Sequence, residues 1–132
     1  MTHSAVQIED SIRSSTGITR LTVTEMPVEV TSVPAPRRCF IVNIGPLTMD
    51  IADAPTALDE CFAIIDTLLE SCVHEPALQH CKLGVSVFVE PGGQAFRAVS
   101  GSYDITPHSM RPHRLSGAYS NIRSFRPLLA SA

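Results

Sequence analysis

Two stretches hold the residue types best suited to chemistry. The first is "SCVHEPALQHC" (71–81), which gathers Cys72, His74, Glu75, His80 and Cys81. Thiolates and imidazoles are ordinary zinc ligands, so their density raises the question of a metal centre. The spacing speaks against one. Neither a paired C-x-x-C nor an H-x-x-x-H occurs, and the adjacent His80 and Cys81 point apart in any extended segment. A buried Cys72 thiol serving as a small hydrophobe accounts better for its helical position, so no metal is expected. The second stretch is "GSYDITPHSM" with the Arg111–Arg114 run that follows it. His108 and His113 could act as general bases, oriented by Asp104 or Tyr103. They lack a nucleophile: the chain has no G-x-S-x-G and no catalytic-cysteine context. "PGGQAFR" (91–97) lacks the longer glycine spacing of a P-loop or dinucleotide site, and a hairpin turn explains it. The expectation is therefore no catalytic residue, no cofactor and no small-molecule substrate.

What the second stretch does offer is charge. Residues 1–90 hold twelve acids and five bases, whereas residues 91–132 hold one acid, Asp104, and five arginines, giving −7 against +4. Arginine favours planar contacts with phosphate or carboxylate. His108, Arg111, His113, Arg114, Arg123 and Arg126 are accordingly the candidate partner-binding residues, facing an anionic membrane surface, a nucleoprotein or an acidic protein patch. Such binding weakens as salt rises. The competing reading pairs the same arginines with the acidic body of the molecule. A stacking sheet for nucleic acid is not indicated, because only 5% of residues are aromatic and tryptophan is absent.

The elements that must position these residues follow from periodicity. With 132 residues, 44% hydrophobic and 17% charged, the chain fits one domain with its own core. No apolar run reaches the roughly 18 residues of a membrane span, and no secretion signal is visible, so an intracellular, soluble protein with Cys39, Cys61, Cys72 and Cys81 as thiols is expected. Residues 1–17 are polar and unpatterned and read as a flexible arm. "ITRLTVT" (18–24) alternates as a strand, with Met26, Val28 and Val30 continuing beyond Pro27. "RCFIVNIGPLTMDIAD" (38–53) is one bent strand or two joined by a tight turn. Cys61, Ile64, Ile65, Leu68 and Cys72 form an apolar stripe that predicts a helix over 56–74, with Thr56 and Asp59 at capping-box spacing.

"KLGVSVFVE" (82–90) and "QAFRAVSGSYDI" (94–105) read as a hairpin, the second strand needing a bulge near Ser100–Gly101 to recover its inward parity. Residues 107–132 form a basic, irregular tail with a short strand near Ile122–Phe125, leaving 18–106 as a single core domain. The class is α+β: an antiparallel sheet or two-layer sandwich of about five to six strands with one helix across it. Phe40, Val42, Ile65, Leu68, Val85, Val87 and Phe96 are the expected core.

The order "RRCFIVNI", helix, "KLGVSVFV", then a strand ending in Pro107, His108 and Met110, with "SFRPL" at 124–128, resembles the core of rhabdovirus matrix proteins. The resemblance implies a non-enzymatic structural protein of the virion or host cytoplasm, one that self-associates and contacts membrane and nucleocapsid. This sequence departs from that family in having only Arg13 as a base within residues 1–17. A small bacterial or phage accessory protein, binding a protein or nucleic-acid partner through the basic tail, is the alternative.

Overall fold

The structure is a computed structural model, which describes residues 4–27, 38–49, 54–90, 94–105 and 119–120. It is an α+β fold: a mixed sheet of four long strands, extended by a two-residue fifth, with two helices. In chain order these are α1 (Ala5–Thr16), β1 (Leu21–Met26), β2 (Cys39–Leu47), α2 (Ala54–Val73), β3 (Lys82–Val89), β4 (Phe96–Asp104) and β5 (Tyr119–Ser120). A short 3-10 turn, Pro76–Leu78, lies between α2 and β3. The strands lie in sequence order across the sheet.

One direction differs from the all-antiparallel expectation. β2 and β3 run parallel, Cys39 opposite Lys82 and Ile44 opposite Val87. A parallel pair needs a crossover that carries the chain back along the sheet, and α2 is that crossover. The other pairs are antiparallel.

The expected N-terminal arm is instead α1. Ser4 Oγ accepts the Gln7 N–H at 3.2 Å and Gln7 Oε1 accepts the Ser4 N–H at 2.9 Å, a reciprocal capping box. Gly17, at φ 75°, ends the helix in the left-handed region and donates its N–H to the Arg13 carbonyl at 2.9 Å. Ile8 and Ile12, one turn apart, bury against the sheet and α2. The second helix starts at Ala54, two residues earlier than expected, so Thr56 and Asp59 lie within it rather than at a cap.

The core lies between the sheet and the helices. Leu21 and Val23 of β1, Phe40, Val42 and Ile44 of β2, and Leu83, Val85, Val87 and Val89 of β3 turn inward. Cys61, Ile65, Leu68, Leu69 and Cys72 of α2 meet them. Of the expected core set only Phe96 is half-buried, packed against the rim. The β4 bulge sits at Ala98 rather than at Ser100–Gly101, because Val87 faces Val99 while Phe88 faces Arg97. Gly101 has a separate cause: a Cβ there would stand 2.5 Å from Tyr103 Oη, so its bareness admits the Tyr103 ring to the core. Among the described residues no helix is long and apolar enough to cross a membrane.

Candidate functional site

The Cys–His cluster comes apart in the fold. Cys72 is fully buried on α2, and burial, with Glu75 adding to it, pushes its thiol up to about 12. Cys81 is buried too, its Sγ 3.8 Å from the carbonyls of Ala77 and Gln79. His74 and His80 face solvent. His80 takes a left-handed φ of 65°, and its N–H donates to the Ile105 carbonyl at 2.8 Å, tying the turn to the end of β4. Glu75 has structural work: it accepts the Ala77 N–H at 3.3 Å and the Ser11 hydroxyl at 2.5 Å, joining the 3-10 turn to α1. Among the described residues no three His, Cys, Asp or Glu side chains gather as a metal-binding group.

Of the groups considered for acid–base work, Tyr103 is buried in the core at 3% exposure. His108, Arg111, His113, Arg114, Arg123 and Arg126 lie outside the described residues, as does the strand expected near Ile122–Phe125. The described strand of that region is β5, which sets Tyr119 opposite Ser100 on β4.

The feature the sequence did not bring forward is the sheet face turned away from the helices. Strand register aligns its residues in rows. One row runs Thr22, Asn43, Ser86 and Ser100 across β1 to β4, and the next runs Thr24, Ile41, Gly84 and Ser102. Beyond the first row Phe88 faces Arg97, whose guanidinium lies over the Phe88 ring at 5.8 Å from its centre. Gly84, Ser86, Ser100 and Ser102 thus make a floor of small side chains between two ridges, Ile41 and Phe88. The result is a shallow trough of about 380 Å³. Gly84 lets the Ile41 side chain lean over β3, because a Cβ there would come within 2.8 Å of Ile41 Cδ1. At its centre Ser100 is 6% exposed, and its Oγ has no hydrogen-bond partner among the described residues. A buried hydroxyl left unpaired costs about 1–3 kcal/mol, which a bound acceptor or donor would recover.

At the Met26–Cys39 end of the sheet a polar pair lies on the opposite, helix-facing side, beside Phe40. Arg38 donates from Nε and a terminal nitrogen to the two Glu25 carboxylate oxygens, each at 2.8 Å, and holds that carboxyl below the usual glutamate range. A hollow of similar size lies along the α1–α2 seam, where Ser15 and Ser71 share a hydrogen bond. Its hydroxyls tie helix to helix.

The trough offers hydrogen bonding and shape but no nucleophile–base pair. Comparison with protein families, with characterised proteins and with solved structures finds no match to this chain.

Proposed function

We propose that the protein is a non-enzymatic structural or interaction protein that self-associates through the face of its sheet turned away from α1 and α2. The observation that supports this is the trough itself, with Phe88 as a ridge and Gly84, over which Ile41 leans, as a low point on the same strand. Phe88 and Gly84 lie about 13 Å apart along β3. A two-fold axis lying across the strands over Ser86 would set Phe88 of each copy above Gly84 of the other. Two sheets packed this way stand about 10 Å apart. The face also carries little charge to repel its own copy: its central rows are Thr, Asn, Ser, Ile and Gly, with Arg97 at one side.

A contact surface for anionic partners is the second part of the proposal, carried by Arg111, Arg114, Arg123 and Arg126 with His108 and His113. It rests on the charge asymmetry between body and tail. A matrix-like role is the form in which the anionic partner is a membrane surface or nucleoprotein; an accessory protein with a protein partner is the other form.

Light scattering over a concentration series tests the first part. Wild-type protein should rise above the 14.3 kDa monomer mass. Phe88→Ala, which removes a central aromatic anchor, should weaken association about tenfold or more. Wild-type-like association of Phe88→Ala would refute the face. For the tail, Arg111→Glu with Arg114→Glu should lower binding to anionic liposomes or RNA at low salt, and unchanged binding to both would remove that half.

A further inference from the structure

Among the described residues the strand order leaves β1 at an edge of the sheet. An edge carries unpaired N–H and C=O groups that invite another strand. The Gly45 N–H donates to the Arg20 carbonyl at 2.8 Å, which fixes the parity: even-numbered residues of this strand turn their backbone groups to β2. Leu21, Val23 and Glu25 therefore turn theirs outward.

Two side chains of α1 occupy one pair of those groups. The Val23 N–H donates to Glu9 Oε1 at 2.9 Å, and Arg13 Nε donates to the Leu21 carbonyl at 2.9 Å. Glu9 and Arg13 are one helical turn apart and pair with each other at 3.5 Å. An acceptor before the Val23 N–H and a donor before the Leu21 carbonyl are what a neighbouring strand would present there. Ile8 and Ile12, 1% and 0% exposed, fix the helix that delivers them.

We propose that the β1 edge is a strand-pairing surface for a second copy of this chain, kept closed by the Glu9–Arg13 pair. The strand's own pattern selects that occupant. About a two-fold axis at Val23, Val23 meets Val23 of the other copy and Thr22 faces Thr24, a favourable cross-strand pair. The two Glu25 carboxylates stay apart, each opposite Leu21. Antiparallel pairing of two identical edges is self-complementary, so each outward N–H finds a carbonyl. This surface is distinct from the trough and would join two sheets edge to edge.

Sedimentation equilibrium in a Phe88→Ala background isolates the edge, whatever the outcome for face-to-face association. Adding Glu9→Ala with Arg13→Ala should double the weight-average mass over the 14.3 kDa monomer and add intermolecular strand signal in the infrared. Glu25→Pro, which removes an outward N–H and the exposed Arg38 ion pair but keeps the backbone bonds to β2, should return the mass to the monomer. Glu9→Gln with Arg13→Lys, which keeps an acceptor and a donor, should stay monomeric. A folded double-alanine protein that remains monomeric overturns the proposal. So does association indifferent to Glu25→Pro. Should the double alanine lose its helix, Arg13→Ala alone frees the Leu21 carbonyl and is read by the same outcomes.

Discussion

On the side of the sheet facing α1 and α2, the strands present Leu21, Val23, Phe40, Val42, Ile44, Leu83, Val85 and Val87, all buried. On the other side the same strands present Thr22, Thr24, Asn43, Ser86, Ser100 and Ser102, with Ile41 and Phe88 as ridges. The first face is large, apolar and closed; the second is small, polar and grooved. Burial of the first supplies most of the stability, at about 25 cal/mol per Å² of apolar surface removed from water. The second contributes little to folding and is free to be shaped for contact.

Substitutions on the two faces should separate stability from association. The largest effect is expected from Leu68→Ala, which opens a cavity under the covered face and should cost about 2–5 kcal/mol in denaturant unfolding. Val87→Ala removes less side chain and should cost less. Ser102→Ala, exposed on the open face, should stay within about 0.5 kcal/mol of wild type. Equal losses for Leu68→Ala and Ser102→Ala would erase the contrast.

Gly45→Ala comes next. Its φ of 112° is unfavourable for any side chain, and a Cβ would run into the Phe88 carbonyl, so a loss of about 1–3 kcal/mol is expected in the same assay. Gly84→Ala should be milder for folding, since the atom it meets is the flexible end of Ile41. It should nonetheless lower self-association by displacing the Ile41 ridge of the trough.

The covered face also sets a pH limit. Burial raises the Cys61 thiol to about 11 and the Cys72 thiol to about 12, above their ordinary value of 9.0. Below pH 9 both states keep the protons and stability is unaffected. Above it the unfolded thiols ionise first, so stability should fall between about pH 9 and 12. Cys72→Ala should flatten that fall, though its cavity lowers stability throughout.

The smallest effect belongs to the surface. The lowered Glu25 carboxyl favours the fold above the usual glutamate range and loses that contribution as pH falls through its folded value. The pair is exposed, so Arg38→Gln should change acid stability only slightly.

Much of the covered face was legible in the sequence, because alternating Val and Ile in "KLGVSVFVE" and the α2 stripe report burial directly. Strand direction was not legible, since alternation in β2 and β3 is the same whether they run parallel or antiparallel. The intervening helix held that information, as a parallel pair requires a long crossover. α1 was missed through its polarity: only Ile8 and Ile12 are fully buried, and the marks were the Ser4–Gln7 capping box and Gly17. The bulge at Ala98 was not legible because Gly101 is the residue type that permits one, whereas its bareness serves the Tyr103 ring. The trough was hidden for a different reason. Small polar residues on alternate strand positions read as ordinary solvent-facing sites until the register lines them up.

A water-soluble paramagnetic agent, followed by NMR at dilute and concentrated protein, probes the two faces directly. At low concentration the agent should broaden the Ile41 methyls while sparing those of Val42 and Val87. As concentration rises, the Ile41 methyls should become protected in step with growth in mass, and Phe88→Lys should abolish both changes without altering the fold. Broadening of Ile41 that stays constant while the protein demonstrably self-associates, or a mass that remains monomeric throughout, would contradict the assignment of this face as the contact surface.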